Sequence, residues 1–447
     1  MSPRARAAAA RLGSLIPALL REQRQFRRYW SAATISMFGD QISSIALPLT
    51  GVLVLHASAA EMGYLTAIVW LPSLLFAMPA GAWVDRLGRR REIMIAADIG
   101  RAALLATVPA CYALHVLTLA QLYGVAFGAG TLSIFFTVSD GPLFVAVVPE
   151  GSYVEGNSLV YGSRAFSFVG GPSLGGLLVQ LLAAPFAVAA DALSFLGSAL
   201  FLRKVKAVEA PPATSGKGSV TAGARFIMGA GTSSGIVRAS LSAVSVINFF
   251  TFVFSALFVL YATRSLHVRP GLLGLVLGAG AVGSVLGSLI TGRLARRVGI
   301  GWAYVIGCVL YPAPLALVPL AGGPLPVVLG LLFLAEFLSG FGVMVLDISI
   351  GSIFAAVIPG DLRARVSGAF QAVNYGTRPL GALLGGTLGT LIGLRPTLWI
   401  AVAGAVTGFI WLLPSPLPRF RMPADTPAGT PAGTAEPAAT SSQQPAG

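Results

Sequence analysis

The chain has few charged residues, only two cysteines and only three histidines among its 447 residues. Charged side chains make up 10% of the sequence and hydrophobic ones 55%, with a mean hydropathy of +0.81. This balance excludes an ordinary soluble domain. Cys111 and Cys308 both lie within apolar stretches. Their positions exclude a disulfide framework and a Cys-x-x-Cys metal site.

The motifs of soluble enzymes are also lacking. No Gly-x-x-x-x-Gly-Lys-Ser/Thr phosphate loop occurs, so the chain contains no ATPase of its own. The histidines stand singly, and no cluster of His, Cys and Glu indicates a metal site. Gly278-Ala-Gly280-Ala-Val-Gly283 matches a dinucleotide fingerprint, but it lies in an apolar run, where spaced glycines favour close helix packing. We expect no enzyme activity, metal or cofactor.

Long apolar runs dominate what is present. About twelve stretches between Tyr29 and Leu417 reach the roughly 20 residues that a helix needs to cross a bilayer. They lack the alternation of strands, so they predict an all-α membrane protein. Of the 30 Lys and Arg, 24 lie in residues 1–30, 86–91, 203–238, 293–297, 363–365 and 419–421. The positive-inside rule predicts that these segments are cytoplasmic, so the net charge of +14 indicates no nucleic-acid partner.

An internal duplication divides the chain into two halves. The stretch Gly81-Ala-Trp-Val-Asp85-Arg86-Leu-Gly88-Arg89-Arg90-Arg91 has a degraded copy, Gly292-Arg-Leu-Ala-Arg296-Arg297-Val-Gly299, 211 residues later. A second pair, Gly171-Pro172-Ser-Leu-Gly175-Gly176 and Gly381-Ala-Leu-Leu-Gly385-Gly386, has an offset of 210 residues. Both copies run in the same direction across the membrane, which predicts two parallel halves.

These patterns predict five regions. They are a cytoplasmic N-terminal segment (1–28), a six-helix bundle (29–205), a cytoplasmic linker (206–236), a second six-helix bundle (237–417) and a disordered cytoplasmic tail (418–447). The basic N-terminus lacks the unbroken apolar core of a cleavable signal peptide. We therefore expect a monomeric, multi-pass protein of the cell membrane with both termini in the cytoplasm.

Ionisable residues within the apolar runs are the candidate site. Asp40 lies in the first predicted span, and Glu336 and Asp347 are eleven residues apart in the tenth. That spacing is close to three helical turns, so both face one way, about 16 Å apart. Carboxylates at this depth are functional candidates by default, although a neutral or paired structural acid is the alternative for Asp40.

The arginines within the spans need partners. Asp98 and Arg101 are three residues apart on one helical face, and we expect them to neutralise each other as a structural pair. Arg164 and Arg378 lie in the fifth and eleventh spans. We expect them to pair with acids of other spans, with contact to an anionic cargo as the alternative.

The twelve spans, the two parallel halves, the turn after span two and the Gly-Pro-x-x-Gly-Gly of span five resemble the major facilitator superfamily. Three further stretches resemble its macrolide-efflux and siderophore-exporter branch: Ser36-Met-Phe-Gly39-Asp40, Asp191-Ala-Leu-Ser194-Phe195 and Ala224-Arg225-Phe226. The resemblance implies twelve helices in two parallel six-helix halves around a cavity lined by spans one, four, seven and ten.

Particular residues acquire expected roles from this resemblance. Gly81, Asp85, Arg86, Gly88, Arg89 and Asp140 would form a conformational latch. In the outward-facing state Asp85 would meet the start of span eleven, and Arg89 would reach Asp140. Gly171, Pro172, Gly175 and Gly176 would form the exporter-type bend of span five. The proton-coupling candidates are Asp40, Glu336 and Asp347, and the cargo-lining candidates are Ser44, Thr137, Asn248, Phe249, Phe252, Arg164 and Arg378.

The expected function is proton-coupled export of a lipophilic small molecule by alternating access. The cargo would be a drug-like natural product, such as a macrolide, or a siderophore, and the proton gradient would supply the energy. Two alternatives are an importer of a small metabolite and a non-transporting membrane scaffold or sensor. Ionisable residues at mid-membrane depth argue against the scaffold.

Overall fold

The computed structural model describes residues 17–207, 225–229 and 231–421. Most of the predicted linker and tail, and residues 1–16, lie outside these ranges. The described part is built from twelve long helices and shorter helical turns, without strands. The long helices are α1 (Arg24–Leu49), α2 (Ala59–Leu87), α3 (Arg90–Ala113), α4 (Leu119–Val147), α5 (Tyr153–Leu182), α6 (Ala184–Arg203), α7 (Thr232–Arg264), α8 (Pro270–Val298), α9 (Ile300–Leu310), α10 (Leu325–Val357), α11 (Gly360–Leu391) and α12 (Leu394–Val406).

Short helical turns extend several of these elements. A one-turn helix, Ala18–Glu22, precedes α1, and a π-helical turn, Thr50–Val54, continues it. Short turns extend α9 to Leu320 and α12 to Leu412. With these extensions, eleven helices of the described part are long and apolar enough to cross a membrane. The chain is therefore a multi-pass membrane protein.

Helix α11 is the long helix that falls outside this set of eleven. It carries Asn374, Thr377 and Arg378 in its middle, which lowers its apolar content. It packs between α2 and α7, so part of its surface meets protein rather than lipid. This helix is among the twelve apolar runs of the sequence, and the predicted architecture of twelve helices in two halves is confirmed.

Helices α1–α6 form the N-terminal half and α7–α12 the C-terminal half. The halves meet where α2 packs against α7 and α11, and where α5 packs against α8. We name the two ends of the bundle from the helix directions. The motif face is the end with the α2–α3 turn and the start of α1. The distal face is the opposite end, where α1 ends and α2 begins.

Two glycine crossings join the halves toward the distal face. A Cβ placed on Gly176 of α5 would lie 3.0 Å from the Cα of Gly274 of α8. A Cβ placed on Gly386 of α11 would lie 2.9 Å from the Cα of Gly63 of α2. Because the duplication relates Gly176 to Gly386 and Gly63 to Gly274, both crossings use the same device. A side chain at any of these positions would separate helix backbones that are in contact.

The other glycines of the span-five motif hold α5 against its own half. A Cβ on Gly171 would meet the Gln41 side chain, and one on Gly175 would lie 3.1 Å from the Cα of Ile42, both in α1. Pro172 lies within the continuous helix α5. In the second copy Gly381 and Gly385 contact α7 in the same way. The motif therefore packs one helix against two neighbours.

The apolar core differs between the two faces. Toward the distal face, one continuous cluster joins the halves; it includes Leu65 and Leu105 from one half and Leu257 and Leu332 from the other. Toward the motif face, each half has separate clusters, one containing Phe26 and another containing Tyr304. The halves are thus joined at the distal face and separated at the motif face.

Candidate functional site

A cavity of about 970 Å³ lies between the two halves. Most of its lining is apolar, and residues of both halves contribute. Its ionisable lining residues include Asp40, Asp191 and Arg101 from the N-terminal half and Glu336 and Asp347 from the C-terminal half. The three predicted proton-coupling residues therefore share one cavity. Helices α2, α5 and α8 also contribute lining residues, so the wall is broader than the four predicted spans.

Arg101 is the centre of the charged cluster in the N-terminal half. Its side chain is 2% exposed, and its guanidinium forms an ion pair and hydrogen bond with Asp98, which confirms the predicted pair. The same guanidinium donates to Ser133 Oγ at 3.2 Å and lies 3.7 Å from Asp40 Oδ1. It therefore connects α1, α3 and α4.

Aromatic rings enclose the same guanidinium. The Arg101 Cζ atom lies 3.9 Å from the ring centre of Phe195 and 4.6 Å from that of Phe136. Cation–π contacts are strongest when the cation is removed from water, as it is here. The arginine is therefore held in place by two rings, beside the Asp40 carboxylate.

Asp191 of α6 is a further carboxylate of this region. It is 1% exposed, accepts a hydrogen bond from Ser194 Oγ at 3.0 Å, and lines the cavity. A Cβ on Gly39 would collide with both Asp191 and Ser194. Two of the stretches that carry the family resemblance, Gly39-Asp40 and Asp191-Ala-Leu-Ser194, thus contact each other across α1 and α6.

The charge count of this cluster matters for function. Asp40 and Asp98 lie within 4 Å of a single guanidinium, and Asp191 lies beside Gly39 in the same region. The group would carry a net charge of −2 with every carboxylate ionised. Uncompensated charge at membrane depth is costly, and a bound proton reduces that cost. The arrangement is chemically suited to taking up and releasing a proton, with Asp40 as the member whose side chain is 46% exposed.

The acids of the C-terminal half have different surroundings. Glu336 and Asp347 both line the cavity from α10, as their spacing predicts. Neither forms an ion pair within 4 Å with another described residue. A Cβ on Gly280 of α8 would lie 3.4 Å from Glu336 Oε2. The carboxylate of Glu336 is therefore next to a position that carries no side chain.

Arg378 is surrounded by rings rather than by acids. Its Cζ lies 4.2 Å from the ring centre of Trp70, 4.6 Å from that of Tyr375 and 5.2 Å from that of Phe252. Arg164 is exposed and lies 5.6 Å from the ring centre of Tyr161. The expected carboxylate partners are not found within 4 Å of either arginine in the described ranges.

The cargo-lining candidates divide into three groups. Ser44 lines the cavity. Phe252 and Arg378 contact Trp70, which itself lines the cavity. Of the described residues, the cavity lining does not include Thr137, Asn248, Phe249 or Arg164. The hydroxyl of Thr137 donates to the Ser133 carbonyl and the amide of Asn248 to the Val244 carbonyl, while Phe249 packs on Phe250.

The predicted latch contacts are not formed in this structure. Asp85 pairs with Arg90 of its own turn at 3.5 Å, and no ion pair within 4 Å joins it to a described side chain of α11. Arg89 pairs with Glu92 at 3.5 Å instead of reaching Asp140. Asp140 accepts a hydrogen bond from the Tyr29 hydroxyl at 2.6 Å. The missing contact of Asp85 with α11 follows from the separation of the halves at the motif face. The missing contact of Arg89 with Asp140 lies within the N-terminal half, where each residue has another partner, Glu92 and Tyr29 respectively.

The glycines and the remaining arginine of the turn have local roles here. Gly88 ends α2 in the left-handed conformation, with φ 63°, and its copy Gly299 ends α8 with φ 89°. Residues other than glycine rarely adopt these angles. A Cβ on Gly81 would meet only Val138, at 4.0 Å, so close backbone approach is not required there. Arg86 is exposed.

Three functional features were not predicted from the sequence. The pair Asp98–Arg101 was predicted, but not its link to Asp40. Asp191 was noted only as part of the family resemblance, although its depth within a span marks it by the same rule as Asp40. Trp70 gave no signal beyond its apolar run, because its role depends on contact with Arg378 of the other half.

The chain is similar to known transporters along most of its length. The profile of the family described as "Transmembrane secretion effector" matches residues 16–436. The multidrug efflux pump Tap of Mycobacterium tuberculosis (strain ATCC 25618 / H37Rv) is 28% identical over 407 residues, covering 85% of this chain and 90% of Tap. The MFS-type transporter YfiS of Bacillus subtilis (strain 168) is 26% identical over 411 residues, covering 88% and 93%.

Solved structures share the fold. A bacterial homologue of the iron transporter ferroportin, in an inward-facing state, has a TM-score of 0.72 at 16% identity. The match covers 89% of this chain and 99% of that one. The family and the fold are those of membrane transporters rather than enzymes. The chain belongs to the transmembrane secretion effector family of the major facilitator superfamily.

Proposed function

We propose that the protein is a secondary active exporter of a lipophilic small molecule, driven by proton antiport. The observation that carries this proposal is that carboxylates of both halves, Asp40 and Glu336, line one largely apolar cavity. The apolar wall suits a lipophilic cargo, and the carboxylates suit proton exchange. The relative that is a multidrug efflux pump supports the direction of transport.

Alternating access follows from how the halves are joined. In this structure they pack together at the distal face and are separate at the motif face, so cargo enters from the motif face. We place that face on the cytoplasmic side of a bacterial cell membrane, because the basic segments lie at that face. Closure of the motif face would bring Asp85 and the start of α11 together, and opening of the two glycine crossings would release cargo at the distal face.

The proton has a specific place in this cycle. The cluster around Arg101 would take up a proton from the outside through Asp40 as cargo leaves, and release it to the cytoplasm before the next cargo binds. Glu336 and Asp347 are the other candidates for proton transfer. We expect no bound cofactor to take part, and a single chain contains both halves of the cavity.

The test begins with a cargo screen in a host that lacks its own efflux pumps, with macrolides and catechol siderophores in the panel. An exporter lowers cellular accumulation and an importer raises it. Purified protein in liposomes then transports the cargo with and without an imposed proton gradient. We expect Asp40→Asn to reduce the rate of gradient-driven transport on the order of tenfold, a ratio that corresponds to about 1.4 kcal/mol of free energy. Glu22→Gln, an exposed carboxylate outside the bundle, is the matched control.

Full gradient-driven transport by both Asp40→Asn and Glu336→Gln would contradict proton antiport through these residues. Absence of transport by the wild-type protein would favour a scaffold or sensor instead.

A further inference from the structure

The charge of the cavity lining restricts the chemistry of the cargo. Its lining residues include four carboxylates, Asp40, Asp191, Glu336 and Asp347, and Arg101 is the one cationic side chain among the described residues there. Arg101 already contacts Asp98, Ser133 and two aromatic rings. Because its side chain is 2% exposed, Arg101 is not accessible to an anion, and the ionised carboxylates of the cavity repel one.

The four carboxylates are not equally available. Asp40 lies 3.7 Å from the guanidinium of Arg101, and Asp191 is 1% exposed and accepts a hydrogen bond from Ser194. Glu336, by contrast, is half-buried and has neither an ion pair nor a hydrogen bond with a described residue. A carboxylate in this condition gains most from a cation supplied by a ligand, because the surrounding dielectric is low.

The cavity that Glu336 lines has room for an organic cation, with a volume of about 970 Å³. Gly280 of α8 lies against Glu336, and both residues line the cavity. The cavity also presents aromatic side chains, namely Trp70, Phe168, Phe195, Phe258 and Tyr311. Aromatic faces and a single carboxylate are together the groups that bind a large cation with a diffuse charge.

Asp347 is a poorer candidate for this role. It lies eleven residues further along α10, toward the motif face, and it is exposed. Water near it competes for a cation more effectively than it does at Glu336. We propose that Glu336 forms a subsite for the positive charge of a lipophilic cation. This inference rests on the proposed transport function, and it favours cationic drug-like cargo over anionic siderophores.

Two probes of matched shape and opposite charge test the subsite. Tetraphenylphosphonium and tetraphenylborate each carry four phenyl rings around one charged centre. Equilibrium dialysis against the full chain in nanodiscs, after subtraction of binding to empty nanodiscs, gives both affinities. We expect wild-type protein to bind the phosphonium on the order of tenfold or more tightly than the borate. This comparison needs no variant, so it does not depend on the folding of one.

Variants then locate the charge. Glu336→Gln should weaken phosphonium binding on the order of tenfold, and Glu336→Asp should retain most of it. Glu22→Gln should bind as the wild type does, and Asp347→Asn should have a smaller effect than Glu336→Gln. Equal binding of the two probes by the wild type, or equal losses in Asp347→Asn and Glu336→Gln, would overturn the proposal.

The outcomes separate this subsite from the transport proposal. If the wild type binds the phosphonium through Glu336 but moves no solute under a proton gradient, the transport proposal fails and the subsite stands. If the protein exports a cargo under that gradient but shows no preference for the phosphonium, the subsite is wrong and the transport proposal stands.

Discussion

Arg101 in the N-terminal half is enclosed by carboxylates, whereas Arg378 in the C-terminal half is enclosed by aromatic rings. The halves also differ in charge at the turns, where Asp85 of the first copy corresponds to Arg296 of the second. The backbone contacts, however, are duplicated: Gly176 meets Gly274 as Gly386 meets Gly63. The halves thus share helix packing but differ in charge.

This difference shows which positions the duplication constrains. A glycine at a helix crossing cannot change without separating two backbones, so both copies keep it. Side chains that face the cavity meet cargo and water rather than another backbone, so they diverged. The N-terminal half contains a compact charged cluster, whereas the C-terminal half has separate acids on one face of α10.

The largest expected effect contrasts the two arginines. Arg101→Ala would leave Asp98, which is 0% exposed, without its ion partner, and should destabilise the protein by about 3–5 kcal/mol. Arg378→Ala leaves no paired carboxylate behind and removes ring contacts of roughly 0.5–2 kcal/mol. Thermal unfolding of the purified proteins compares them. Equal losses would show that the charged cluster of the N-terminal half has no special role in stability.

A smaller, symmetric effect is expected at the glycine crossings. Gly176→Val and Gly386→Val should each disfavour the state closed at the distal face by roughly 1–3 kcal/mol, because each inserts atoms into a filled contact. Both should therefore slow transport by similar factors in the cellular accumulation assay. Gly162→Val in α5, where a Cβ meets nothing within 4 Å, is the control. Full transport by one of the two variants would break the predicted equivalence of the crossings.

The sequence predicted the fold more completely than the site. Apolar runs and two repeat offsets were sufficient for twelve helices in two halves, including α11, the least apolar of the twelve long helices in its middle. The acids of the cavity were predictable because a carboxylate within a membrane span is energetically costly and therefore indicates a functional site. The contacts of Arg101 with Asp40 and of Arg378 with Trp70 were not predictable, because they join helices distant in sequence. The contact of Asp85 with α11 depends on which face is closed, and the sequence encodes both states.

Alternating access is the central claim, and distances measured between spin labels test it most directly. In a chain with Cys111→Ser and Cys308→Ser, Val154→Cys and Val298→Cys would report on the motif face. Leu114→Cys and Leu391→Cys would report on the distal face; all four positions are exposed. On addition of cargo and a change of pH, the motif-face pair should move closer and the distal pair apart. Unchanged distances at both faces, or changes of the same sign, would contradict the account.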